Sequence, residues 1–180
     1  MKKVKVELEG LTPLLMNSPK AMLLDKSDAV RTTKKYDHKV EAEKVAYRTD
    51  KGELYVPAEA IKGCLINAAS YKKVGKYSLK PIIAGAVRIE PKQIGLGTKV
   101  YDIDLRTVVI QHARVVKARP TLKSWKVSFE ILYNEELITD HNVIRACLEE
   151  GGQRIGLLDF RPQKMGEFGQ FIVKKWLPQK

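Results

Sequence analysis

The chain has 180 residues, of which 44% are hydrophobic, and a formal net charge of +12. That length buries one respectable core, being long for one small domain and short for two. No apolar run approaches the roughly 20 residues that cross a bilayer, and Met1-Lys2-Lys3-Val4 opens on alternating sequence without an apolar signal core, so a soluble, cytoplasmic protein is expected.

The charge is concentrated. Residues 62–126 hold 14 Lys and Arg against three acids, whereas residues 1–61 carry +2 and residues 127–180 carry −1. A cationic excess confined to one unit creates a local positive potential that draws polyanions, which makes phosphate backbones the leading class of partner. A membrane-surface role would need a basic amphipathic helix with apolar anchors, and none is present. Cys64 and Cys147 stand alone on the apolar sides of predicted helices and read as buried reduced thiols.

In chain order, residues 3–10 alternate Val4, Val6 and Leu8 with charged positions, the period of a strand with one buried face. An apolar run interrupted by Pro13 leads into the polar stretch 17–52, an insertion of a length that is usually functional or mobile. Within it, residues 37–48 read as a helix capped by Asp37. A short strand at 54–56 precedes Pro57, which opens a helix where its missing N–H costs nothing. Ile61, Cys64, Leu65, Ala68 and Ala69 form that helix's buried stripe, and Gly75 marks its stop. Residues 82–90 read as extended, and 95–98 as a turn. Segments 108–117 and 124–133 read as an antiparallel pair around Pro120, with Trp125, Val127, Phe129 and Ile131 in the core. A second helix at 140–150 ends at Gly151-Gly152, and residues 168–176 form a last strand. The order strand, helix, strand, strand, helix, strand is that of an α+β, ferredoxin-like βαββαβ core in a single domain, with one sheet face and the loops left for binding.

Three segments could meet a polyanion. Around the first helix's end, Lys72, Lys73 and Lys76 lie beside Tyr71 and Tyr77. Such lysines complement the helix macrodipole, and Tyr beside Lys also suits a strand of nucleotides, stacking on bases while amines reach phosphates. In 111–120, Arg114 and Lys117 face opposite sides of a strand, while Lys117 and Arg119 share one. They form either a solvated strand end or a phosphate-tracking ridge that Lys123, Lys126 and, where it is not core, Trp125 extend. In 154–171, Arg161 and Lys164 neighbour Gly166 and Gly169, which let backbone approach a ligand. Asp159 beside Arg161 reads either as a local ion pair or as part of that binding element. Lys20, Lys26, Arg31, Lys34, Lys35 and Tyr36 lie in a flexible arm that orders on a partner or in a plain surface insertion.

Signals for chemistry are poor. His38, His112 and His141 are scattered, Gly95-x-Gly97 lacks the context of a phosphate loop, and Asp102-x-Asp104 reads as a solvated loop. No enzyme activity, metal or cofactor is therefore expected. The rival enzymatic reading is a metal-dependent nuclease built on Asp102, Asp104 and Asp159.

Several segments resemble the repeat-associated RAMP proteins, the RNA-binding backbone of CRISPR effector complexes. They are the Pro-containing turn of residues 10–16, Tyr55-Val56-Pro57-Ala58-Glu59-Ala60-Ile61-Lys62-Gly63, and Gly166-Glu167-Phe168-Gly169-Gln170-Phe171. The chain is also similar to small phage-encoded proteins with a Pro-Leu-Leu-Met start, here residues 13–16, and an Asp-x-Arg-Pro segment, here 159–162. The resemblance implies an RRM-like core that holds single-stranded RNA or DNA by its backbone, with copies packed side by side. It implies Lys62, Lys72 and Lys73 near phosphates, Gly166 and Gly169 along the strand's path, and residues 17–52 as a projecting thumb. The chain is shorter than typical backbone subunits, and Asp25 and Asp28 lack the motif that marks RNA cleavage in some of them. The expectation is a sequence-tolerant single-stranded nucleic-acid binder that assembles as a homo-oligomer or in a nucleoprotein complex. A phage protein contacting an acidic host protein is the non-nucleic-acid alternative.

Overall fold

The computed structural model describes residues 1–20, 37–74, 76–110 and 112–179. Strand β1 (Lys2–Gly10) buries Val4, Val6 and Leu8 on one face, as its alternation requires. It lies at the centre of an antiparallel sheet between β10 (Lys126–Tyr133) and β11 (Phe171–Gln179), and β6 (Val87–Glu90) completes the sheet beyond β10. Two helices, α2 (Ala58–Ala69) and α4 (Asn142–Arg154), supply the other parts of the core. Among the four strands the spatial order is fourth, first, third, second, the ferredoxin-like arrangement expected from the order of elements.

The core lies between one sheet face and the helices. Ile61, Leu65 and Ala68 of α2 and Ile144, Cys147 and Leu148 of α4 pack over Val6, Leu8, Phe129, Ile131 and Phe171. Each such apolar side chain taken wholly from water contributes about 1.5–3 kcal/mol. Gly151 and Gly152 do not end α4, which runs on to Arg154. They are contact points: a Cβ on Gly152 would overlap the Phe171 carbonyl, and one on Gly151 would sit 2.7 Å from Cys64 Sγ.

The remaining elements are insertions. After β1 come β2 (Leu14–Leu15), α1 (His38–Lys44) and β3 (Tyr55–Pro57). Asp37 caps α1, its Oδ1 accepting from the Lys39 N–H at 2.8 Å. The rest of the expected thumb, residues 21–36 with Asp25 and Asp28, lies outside the described residues, as does Gly75. Between α2 and β6 the chain forms the ribbon β4 (Lys73–Val74) and β5 (Tyr77–Ser78), then helix α3 (Lys80–Ala86). Residues 82–90 are therefore not all extended. Pro81 sits in the first turn of α3, and Ile83 and Ala86 give it a buried side.

The expected pairing around Pro120 is also different. Between β6 and β10 the chain makes β7 (Gln93–Gly95), which pairs with β3, and a long hairpin, β8 (Asp102–Ile110) with β9 (Ala113–Leu122). Pro120 lies inside β9 opposite Ile103, with its carbonyl turned away from β8 to accept from Met16 N–H at 2.9 Å. Proline thus occupies a position whose own nitrogen owes no bond to β8, and the strand runs through it. Asp102 and Asp104, expected in a loop, are strand residues of β8.

Candidate nucleic-acid interface

Helix α2 starts abruptly. Pro57 is extended (φ −67°, ψ 138°), no side chain caps the helix, and the Ala58 N–H bonds the Lys92 carbonyl at 2.9 Å. The next amides carry the partial positive charge of a helix start and favour an anion. Beside this first turn opens a cleft of about 410 Å³, walled on one side by Pro57, Glu59 and Asn67 and on the other by Leu158, Asp159 and Arg161. Gly63 is part of the floor. A Cβ there would meet no atom within 4 Å, so packing does not require glycine in mid-helix, where it costs roughly 0.5–1 kcal/mol.

The opposite wall is a tightly determined loop. Leu158, Phe160 and Met165 all have positive φ (60°, 46° and 59°), as do Gly156 and Gly169. Such conformations cost about 1–3 kcal/mol each for side-chain-bearing residues and persist where surroundings impose them. Here the Asp159 N–H bonds Leu15 O at 3.1 Å, the Gly169 N–H bonds Pro13 O at 2.8 Å, and Arg161 Nη1 donates to Leu158 O at 2.7 Å. Gly166 and Gly169 are spent inside this loop, where a Cβ would overlap the Phe160 and Leu157 carbonyls respectively.

A second, small hollow is lined by Lys62, Arg88 and Lys92 together with Glu59, Ala58 and Ile89. No described acid lies within ion-pairing distance of these three cations. The first two turns of α2 are thus flanked by Arg161 on one side and by Lys62, Arg88 and Lys92 on the other. Arg88 and Lys92 were missed by sequence reasoning. They come from β6 and the turn after it, and no local pattern ties them to α2.

Other expected cations fold onto carboxylates. Lys117 lies 3.0 Å from Glu41, Arg119 2.8 Å from Asp159, Lys123 3.2 Å from Asp102 and Lys72 3.9 Å from Glu150. Lys117 and Arg119 do share a face of β9, yet both are paired with acids from other elements, and the Arg119 side chain is only 15% exposed. Asp159 Oδ2 has no hydrogen bond of good geometry despite its closeness to Arg119, so their link is mainly coulombic. Lys73, Lys76, Arg114 and Lys164 are exposed, on the β4–β5 ribbon, the β8–β9 hairpin and the turn after Arg161. The Tyr77 side chain lies outside the described part of the chain. The middle third therefore does not present one continuous cationic track.

The sheet face away from the helices, where RRM-like folds stack bases, has no aromatic side chain among the described residues. It is a checkerboard in which Lys3 and Lys5 meet Glu130, Lys126 and Lys174 meet Glu9, and Lys175 meets Glu7. Asp102, Asp104 and Asp159 are likewise each matched to a cation of their own, Lys123, Arg106 and Arg119. Among the described residues no group of three or more His, Cys, Asp or Glu could hold a metal ion, and no helix is long and apolar enough to cross a membrane.

No protein-family profile matches the sequence, and no curated protein matches it. The fold has relatives among solved structures. It is similar to a chain in the cryo-EM structure of the type III-B Cmr-β complex bound to cognate target RNA, with a TM-score of 0.67 and 16% identity over 99% of this chain and 61% of that one. A chain of a CRISPR RNA-guided surveillance complex shares 11% identity over 95% of this chain and 66% of it, at a TM-score of 0.42. The first likeness shows the fold, an α+β chain with a ferredoxin-like core. The chain spans about 61% of the length of that relative.

Proposed function

We propose that this protein binds single-stranded RNA or DNA with little sequence preference, as a non-enzymatic subunit of a nucleoprotein assembly. One observation carries the reading: an open cleft at an uncapped helix start, floored by Gly63 and flanked by Arg161 on one side and, on the other, by Lys62, Arg88 and Lys92, which have no ion-pair partner among the described residues. Phosphates approach the helix amides and the cations while the glycine keeps the floor clear for a backbone. The fold shared with a chain from an RNA-bound complex supports the same class of ligand. With no aromatic side chain on the open sheet face among the described residues, bases have nothing there to stack on, so contacts fall mainly on the nucleic-acid backbone and sequence tolerance follows. Lys73, Lys76, Arg114 and Lys164 extend the electrostatic field and speed encounter.

The test is an anisotropy titration of matched RNA and DNA oligomers over a salt series. Log K falls linearly with log salt, and removing Lys62, Arg88 and Lys92 together (each →Gln) lowers the slope by about 0.7 for every phosphate that the protein no longer neutralises. Gly63→Val, which keeps every charge, weakens binding by narrowing the floor. Unchanged slope and affinity in both variants would sink the assignment of this cleft. Incubating labelled oligomers with Mg²⁺ leaves them intact on this reading, since Asp102, Asp104 and Asp159 are each engaged by a cation; cleavage would favour the nuclease.

A further inference from the structure

Strand β8 ends the β2–β9–β8 sheet, and no described residue forms a backbone hydrogen bond to its outer edge. The Pro120 carbonyl, opposite Ile103, points away from β8 towards Met16, so Ile103/Pro120 is a non-hydrogen-bonded pair. Alternation then directs the N–H and C=O groups of Ile103, Leu105, Thr107 and Val109 outward, where none of the described residues meets them. The edge is apolar as well, with Leu105 52% and Val109 70% exposed. An edge of this kind templates another strand unless charged side chains, proline or a bulge blunt it, and the charges of β8, Asp102, Asp104 and Arg106, are mixed in sign and so can pair across a two-fold axis. The edge strand β11 has a bulge, two lysines and Pro178; β8 has no bulge, lysine or proline.

The charges on β8 choose the occupant. When β8 runs antiparallel to a second β8 with Leu105 opposite Leu105, Asp104 faces Arg106 twice across the two-fold axis. Sliding one step either way sets Asp104 against Asp104 or Arg106 against Arg106, and like charges directly opposite are destabilising. Arg106 is already in place for this. Its Nε donates to Asp104 Oδ1 at 2.8 Å, and its guanidinium stacks over Phe168 at 4.7 Å and Phe160 at 5.4 Å. Pre-ordering of this kind lowers the entropy lost on association. The same register brings exposed Val109 opposite Tyr101 of the second copy, next to Val100, which is 77% exposed.

We propose that this protein forms a two-fold dimer through antiparallel pairing of β8 with β8, Leu105 on Leu105, merging two three-stranded sheets. The dimer needs no nucleic acid, so it is measured on the protein alone and its failure leaves the cleft assignment standing.

Sedimentation equilibrium over a wide concentration range shows the mass rising from 20.4 kDa toward twice that value. Asp104→Arg and Arg106→Glu each weaken self-association by roughly tenfold or more, and mixing the two variants restores it, because each like-charge pair becomes an opposite pair. Thr107→Pro removes an outward N–H without touching the β8–β9 ladder and gives a monomer. Circular dichroism confirms that each variant is folded. A wild-type chain that stays monomeric overturns the proposal, as does a mixture of the two charge variants that associates no better than either alone. If Thr107→Pro fails to fold, that mixture decides.

Discussion

Cys64 and Cys147 are buried on facing sides of α2 and α4, and burial pushes their thiols up to about 12 and about 11. The thiolate is the reactive form, so neither is a nucleophile near neutrality. A thiol-disulfide reagent at pH 8 therefore labels neither in the native protein and both after denaturation; rapid native labelling would contradict the packing. The Tyr101 phenol is shifted in the same direction. Burial, and the hydrogen bond it donates to Glu43 at 2.8 Å, push it up to about 12. A folded value above the unfolded value of 10.0 means that this stabilisation is complete below pH 10 and is lost as pH rises through 12. Tyr101→Phe accordingly costs about 1 kcal/mol near neutrality, and the gap to wild type narrows in melts run from pH 10 towards 12. On Glu43 the sign reverses. Arg48 and Tyr101 hold its carboxyl below the ordinary value of 4.5, so its contribution is present above that pH and fades on acidification.

At the scale of elements, the periodic segments were legible. Alternation in β1 and β10 and the apolar stripe of α2 are local patterns, and each element forms where its pattern runs. Glycine was harder to interpret. Gly151-Gly152 carries the signature of a helix end, yet the pair lies inside α4 because α2 and β11 press against it. Gly152→Ala should lower stability by about 1–3 kcal/mol through overlap with Phe171. Gly85→Ala in α3, where a Cβ meets nothing within 4 Å, should raise it by up to about 1 kcal/mol. Equal effects in thermal melts would show that helix propensity, rather than packing, governs both. The β8–β9 hairpin escaped sequence reading because Pro120 is a strong turn signal, and only its neighbours in space, β8 and β2, show that it belongs to a strand.

For the whole molecule, charge is the decisive quantity. Glu41, Glu150 and Asp159, all from the flanks, fold onto Lys117, Lys72 and Arg119. Arg119→Gln therefore acts chiefly on folding: it strips the cation from a carboxylate oxygen sealed from water and should cost about 1–3 kcal/mol. Its effect on the salt slope of oligonucleotide binding stays well below that of the Lys62, Arg88 and Lys92 set. A large slope change for Arg119→Gln at unchanged melting temperature would reverse that ranking. By itself the sequence determined the α+β class, the order of core elements and the buried stripes, because these follow from periodicities of two and 3.6 residues along the chain. It also placed Arg161 among the candidates, while Lys62 entered through the family resemblance. Only the tertiary structure decided which cations remain open, since electrostatic attraction depends on separation through space and is screened beyond about 8–10 Å, and a count along the chain contains no distances.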